Sequence, residues 1–264
     1  VDALVFCTPH FLHRQNLELG AAHRKHVLMD KPIACTLEDA QAMEEGAREA
    51  GIRFMVAENY RYMPPLRSAA NLIQQGAIGS LTAVHMQTTK YQRSTGWRLS
   101  REMMGGGALI DGGIHKVAAL RMVAGDPQRI SAVTPTKVFP EMEGEEAVYL
   151  WATYANGMVG TINYSWAALG EPGTDPFLAI GTEGYIQFDF YGSQLELHAL
   201  HGKERLHFHS DLNGLAAMHD AFLDLIIRGK PSATPPEEAT GDLRFVIAAY
   251  TSVANGGTPE QLQS

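Results

Sequence analysis

Ala3-Leu4-Val5-Phe6-Cys7-Thr8-Pro9, Val27-Leu28-Met29-Asp30-Lys31-Pro32 and Ile52-Arg53-Phe54-Met55-Val56 are three short apolar runs near the start of the chain. What lies between them decides the fold. Phe11 to His23 has helical spacing through Leu12, Leu17, Leu19 and Ala22. Thr36 and Asp39 resemble a capping box, and Leu37, Ala40, Met43 and Ala47 follow at helical intervals until Gly51 stops them. Strand, helix, strand, helix, strand in so short a span predicts a parallel α/β unit with right-handed crossovers.

After Asn59 the pattern changes. Leu66 to Gly76 reads as a helix, and from Leu81 onward β-rich runs recur: Leu81 to Thr89, Ile130 to Val138, Val148 to Tyr154, Val159 to Trp166, Phe177 to Ile180, Tyr185 to Phe190 and Gln194 to Leu200. Asn156-Gly157 is a two-residue hairpin signal. Hairpin-linked strands predict an antiparallel sheet. Ala108 to Val123, Leu215 to Arg228 and Pro236 to Ala254 read as helices. The expected organisation is an α/β domain over 1–60 and an α+β domain over 61–264, with Met63-Pro64-Pro65 at the boundary and the last helices packing back toward the first domain.

Composition narrows the function. The 264 residues carry 21 Lys+Arg against 29 Asp+Glu, a formal charge of −8, with 45% hydrophobic residues and 2 Cys. Nucleic acid and anionic membranes need a basic footprint, so neither is expected as a partner. No apolar run approaches the length of a membrane span, and no signal peptide is evident. Cys7 and Cys35 are too few for a disulfide framework, which fits reduced thiols in the cytoplasm. No metal site is expected, because His198, His201, His207 and His209 lack a companion Cys or carboxylate at zinc spacing.

Two motifs carry candidate chemistry. Asp30-Lys31-Pro32 ends a parallel strand, where open α/β sheets place ligand-binding residues, and the proline restricts the lysine backbone. Gly105-Gly106-Gly107 precedes a helical run bearing Asp111 and His115. The glycines permit close approach at the helix entrance, where N–H groups can meet a ligand. The i, i+4 spacing puts carboxylate and imidazole on one helix face, the arrangement of an acid/base His. The bland readings are a surface loop and a surface Asp–His pair. Trp97-Arg98 suggests contact with a planar or anionic ligand, or simple packing.

In this order, with Ala57-Glu58-Asn59-Tyr60-Arg61-Tyr62 between them and Gly181-Thr182-Glu183-Gly184-Tyr185-Ile186 after them, the motifs resemble those of the Gfo/Idh/MocA family of oxidoreductases. The resemblance implies the C-terminal half of a Rossmann dinucleotide-binding domain, followed by a substrate domain with a large, mostly antiparallel open sheet used for homo-oligomerisation. It implies NAD or NADP as cofactor and a sugar or cyclitol CH–OH group as the site of hydride transfer. Lys31, Asp111 and His115 become the catalytic residues, with the Asp assisting the His. Thr8, Pro9, His13, Asp30, Lys31, Trp97 and Arg98 would line the cofactor cleft. Relatives in this family that act as NAD-dependent glycoside hydrolases, or as non-catalytic sugar- or nucleotide-binding proteins, are the alternatives.

Two departures stand out. Ala118 occupies a position where family members often carry a substrate-facing Asp. No Gly-x-Gly-x-x-Gly follows a first strand, and the chain opens on Val1 rather than Met, so an N-terminal truncation that removes the first βαβ units is expected. The first strand here would then be the fourth of the parent sheet, with an unpaired edge. Residues 1 to 264 alone are therefore expected to be inactive and to bind NAD or NADP weakly or not at all. Calorimetry returning a low micromolar affinity would overturn that expectation.

Overall fold

The computed structural model describes residues 1–169 and 174–262. Ala3–Phe6 (β1), His26–Asp30 (β2) and Phe54–Ala57 (β3) form a three-stranded sheet in the order β1-β2-β3, joined by helices His13–Ala22 (α1) and Leu37–Ala50 (α2). Both strand pairs are parallel, with Val5 opposite Leu28 and Met29 opposite Val56. Val27, Leu28 and Met29 of β2 and Phe54, Met55 and Val56 of β3 are all buried, as expected of strands covered on both faces. At the head of α2 the Thr36 hydroxyl accepts from the Asp39 amide, and Gly51 ends the helix in the left-handed region at φ 65°. The Asp39 carboxylate completes no reciprocal cap. It accepts from Arg14 of α1 at 2.8 Å and so ties the two helices together. β1 is an edge strand, and its Val5 is 57% exposed.

Pro64–Gln74 (α3) leads into Leu81–Thr89 (β4), and helices Arg101–Met104 (α4) and Ile114–Ala124 (α5) follow. The remaining strands are Arg129–Val133 (β5), Ala147–Thr153 (β6), Val159–Ser165 (β7), Pro176–Gly181 (β8), Gly184–Asp189 (β9), Gln194–Ala199 (β10), Gly202–His207 (β11) and Glu260–Gln261 (β12). They make one nine-stranded sheet in the order β11-β10-β9-β8-β4-β7-β6-β5-β12. All neighbours are antiparallel except β4 and β7, where the chain returns beside an earlier strand running the same way. Alternation is plain in β7: Gly160, Ile162 and Tyr164 face the core, and their neighbours do not.

Three sequence expectations need correction. The hairpin between β6 and β7 has three loop residues, not two. Tyr154 and Met158 pair at 3.1 Å around Ala155-Asn156-Gly157, and Gly157 takes φ 86° in the third position. β5 stops at Val133, well short of Val138. β11, with Lys203, Glu204 and Arg205, is too polar to register as a strand; it pairs only with β10, at the sheet's edge.

Leu215–Arg228 (α6) covers Leu28 and Met55 of the parallel sheet with Met218 and Phe222. Pro236–Ala254 (α7) lies against α2, β3, α5 and β5, so it belongs to both layers. Its Asp242 accepts from Arg61 at 2.9 Å and from Arg121 at 2.5 Å, all three side chains being nearly inaccessible. Among the described residues no helix is long and apolar enough to cross a membrane. Removing one partner of a buried ion cluster strands the others, so Asp242→Ala is expected to cost about 3 to 5 kcal/mol in urea denaturation. A loss below about 1 kcal/mol would show that α7 is not pinned through this carboxylate.

Candidate active site

The ends of β2 and β3 and the start of α5 converge on one place. Lys31 follows β2 and is joined to Pro32 by a cis bond, Glu58 follows β3, and His115 is the second residue of α5. His115 Nδ1 lies 2.7 Å and 2.9 Å from the two Glu58 carboxylate oxygens. Tyr60 stacks on the imidazole with ring centroids 4.4 Å apart. Burial pushes the Glu58 carboxyl up, but the adjacent His115, the Tyr60 amide and the Lys31 charge outweigh it and hold it below the ordinary value. An ionised Glu58 fixes the proton of His115 on Nδ1 and leaves Nε2 as the acceptor.

Asp111 does not take that role. Its carboxylate accepts from Arg98 Nε at 2.7 Å and from Lys31 Nζ at 3.3 Å, and His10 Nε2 approaches it at 3.4 Å. Lys31 also donates to the Asp111 carbonyl. The expected Asp111–His115 pairing fails because Leu109–Gly113 is a π-helical turn, with α-helix only from Ile114. A wider turn breaks the i, i+4 register that would have put the two side chains together. Burial raises the Asp111 carboxyl, yet the His10 hydrogen bond, the Lys31 charge and the Arg98 hydrogen bond hold it far below the usual carboxylate range.

The glycine run serves packing, not a ligand. A Cβ on Gly106 would strike the Tyr250 ring, and one on Gly107 would strike Glu145. The N–H groups at the helix entrance are already taken. Tyr250 Oη accepts from Gly107 and Ile110 at 3.0 and 3.2 Å, and Glu145 Oε1 accepts from Leu109 at 2.9 Å.

Two cavities flank the convergence. One, about 280 Å³, is polar and lies toward the large sheet, between Tyr60, Thr88, Tyr164 and Asp175. The other, about 250 Å³, lies at the C-terminal ends of β1, β2 and β3 and is lined by Val5, Phe6, Cys7, Leu28, Asp30 and Asn59 among others. Lys31 and His115 line both and form their common wall.

Of the predicted cleft residues, Asp30 and Lys31 reach the strand-end cavity, whereas Arg98 lines the polar one. Thr8, Pro9, His13 and Trp97 line neither. His13 is fully buried, with its ring nitrogens on the carbonyls of Pro32 at 2.8 Å and Thr8 at 3.0 Å, so it clamps two loops and offers nothing to a ligand. The Thr8 hydroxyl accepts from Asn16, and Trp97 packs edge-on against His10. Ala118 is buried and lines neither of the two cavities. Sequence reasoning passed over Glu58, although its place at the end of β3 is the same strand-end address that marked Lys31. It also passed over Lys116 and Asp175, a buried pair 2.7 Å apart in the polar cavity's wall. No group of three or more His, Cys, Asp or Glu able to hold a metal occurs among the described residues.

The chain is similar to known proteins over most of its length. The profile of the GFO/IDH/MocA C-terminal domain matches residues 66–187, and that of an oxidoreductase family with an NAD-binding Rossmann fold matches residues 1–58. D-apiose dehydrogenase of Rhizobium rhizogenes is 26% identical, over 93% of this chain and 75% of its own length. The 1,5-anhydro-D-fructose reductase of Ensifer adhaerens is 29% identical, over 98% and 80%. A levoglucosan dehydrogenase solved with NADH and levoglucosan shares the fold at a TM-score of 0.91 and 21% identity, covering 100% of this chain and 80% of its own.

Burial lifts the Glu145 carboxyl to about 7, from an ordinary 4.5, despite its bonds to the helix entrance. The folded state therefore holds a proton that the unfolded state has lost between those values, and stability falls as pH rises through that window. Glu145→Gln is expected to abolish this pH-dependent loss in denaturation measured from pH 4.5 to pH 7. An unchanged slope would remove Glu145 from the effect.

Proposed function

Because the chain belongs to the GFO/IDH/MocA oxidoreductase family, we propose that it serves hydride transfer between a nicotinamide cofactor, NAD or NADP, and the CH–OH carbon of a sugar or cyclitol. The observation that carries this reading is the common wall. The cofactor's reactive end belongs in the strand-end cavity, where Val5, Phe6 and Leu28 offer apolar surface to a flat ring and Asp30 and Asn59 offer polar groups at its rim. The substrate belongs in the polar cavity. Only Lys31 and His115 can address a bond formed between the two.

A bound nicotinamide supplies the hydride acceptor or donor. The chain's own residues supply the proton chemistry. In the oxidative direction, His115 Nε2 accepts the hydroxyl proton, and Glu58 at Nδ1 stabilises the imidazolium that results. Lys31 donates a hydrogen bond to the same oxygen and favours its alkoxide character. Asp111 holds the Lys31 ammonium and the Arg98 guanidinium in place through its carbonyl and carboxylate. We place Lys31 and His115 as catalytic and Asp111 and Glu58 as positioning residues.

The same reading extends to assembly and setting. The outer face of the nine-stranded sheet exposes Val133, Tyr149 and Trp151, which supports self-association through that face. A nicotinamide-dependent sugar enzyme with two free cysteines suits the reducing cytoplasm.

The test is NAD(P)H formation with a panel of aldoses, anhydrosugars and cyclitols. The chain is to be extended upstream of Val1 if residues 1 to 264 alone bind no dinucleotide. His115→Ala is expected to lower kcat by about 10²- to 10⁴-fold, the worth of a positioned base, with cofactor affinity retained. Undiminished turnover would remove His115 from the reaction.

A further inference from the structure

The His115 imidazole is held at one atom and braced on one face. Its Nδ1 donates to Glu58, 2.7 Å and 2.9 Å from the two carboxylate oxygens. That bond restrains the ring at a single point, and the χ2 torsion of a histidine is soft, broad and roughly two-fold. The Tyr60 ring lies almost parallel to the imidazole, with 11° between the planes and 4.4 Å between the centroids, and limits the tilt that the hydrogen bond leaves open.

The stack is supported from the large sheet. Phe190, which follows β9, is buried and held edge-on by Phe177 and Phe188 at centroid distances of 6.2 and 4.9 Å. Tyr60 stacks on Phe190 at 5.1 Å. The Lys116 ammonium sits over both rings, 3.3 Å from the Phe190 centroid and 4.9 Å from that of Tyr60, and donates to Asp175 at 2.7 Å. The Tyr60 backbone amide donates to Glu58 Oε1 at 3.0 Å, so one residue braces both the imidazole and the carboxylate that binds it.

We propose that Tyr60 is a positioning residue for His115: its ring sets the plane of the imidazole and keeps Nε2 presented at the wall between the two cavities, with Phe190 and Lys116 as its support. This rests on the assignment of His115 as the base and deepens it by naming what aims that base. An aliphatic side chain at position 60 keeps the backbone bond to Glu58 and loses the plate. The imidazole is then free to tilt away from Glu58, and the proton is shared between Nδ1 and Nε2.

Nitrogen NMR of the histidine rings in the 264-residue chain tests it, because the two ring nitrogens report which of them carries the proton. The His115 signals are identified by their loss in His115→Ala. With the imidazole neutral, the wild-type chain is expected to show a protonated Nδ1 and a bare Nε2, well separated in shift. In Tyr60→Leu the two shifts should converge, and in Tyr60→Phe, which keeps the ring, they should separate again. Phe190→Leu removes the support and leaves the Tyr60 ring, so it should give a smaller convergence; it carries the test if Tyr60→Leu does not fold. Wild-type separation retained in the folded Leu variants, converged shifts in the wild type, or convergence in Tyr60→Phe as large as in Tyr60→Leu overturns the proposal. In the chain that turns over a sugar, Tyr60→Leu is expected to lower kcat by about 10- to 100-fold with the substrate KM within about threefold, and Tyr60→Phe to recover kcat. Undiminished kcat in Tyr60→Leu overturns the proposal as well. The spectra need no turnover, so hydride transfer from no sugar would sink the proposed reaction while the shifts still decide what Tyr60 does.

Discussion

A carboxylate taken out of water must be repaid in hydrogen bonds and opposite charge, and Asp111 draws its compensation from three separate parts of the chain. His10 comes from the turn after β1, Lys31 from the end of β2, and Arg98 from the segment before α4. One buried group thus ties the parallel sheet to the helix that crosses the large sheet. The site lies at this tie, and its geometry follows from the electrostatic requirement of Asp111 rather than from any single element. Nearby groups obey the same rule: Glu58 stays charged because His115 and Lys31 are beside it, and Asp175 is held by Lys116 and Thr88.

Glu145 and Tyr250 provide the second anchor. Tyr250 donates to Glu145 at 2.9 Å, and between them they satisfy the amides that the glycine run leaves open at the head of the helix. The anchor explains why glycines are required at two positions. Tyr250 arrives from α7 and occupies the space a side chain at Gly106 would need, and Glu145 does the same at Gly107. Site rigidity is therefore shared with the C-terminal helix, which also carries Asp242 against Arg61 and Arg121.

What the sequence made legible was local. Thr36 and Gly51 announced the ends of α2, and apolar alternation located most strands of the large sheet. The order of those strands was not legible, because the parallel pairing of β4 with β7 depends on a packing choice made across the whole sheet. Lys31 and His115 were recognised from their motifs, and the structure sets them in one wall. The partner of His115 was misread because an α-helical period was assumed across Leu109–Gly113, and a wider turn leaves little trace in a run of Leu, Ile and Gly. His13 was misread for another reason. Its address beside β1 suited a ligand contact, but burial depends on Thr8 and Pro32 closing over it from either side.

The π-helical turn also constrains how this segment can vary. Side chains around it can be exchanged as long as volume and charge are kept, but its length cannot change freely. Deleting one residue between Leu109 and Gly113 would restore the α-helical period and swing everything before the cut by about 100° relative to everything after it. Asp111 would leave its three donors, or His115 would leave Glu58. Related chains that keep this site should therefore admit insertions and deletions in the loops on either side, while the count of residues from Gly105 to His115 stays fixed.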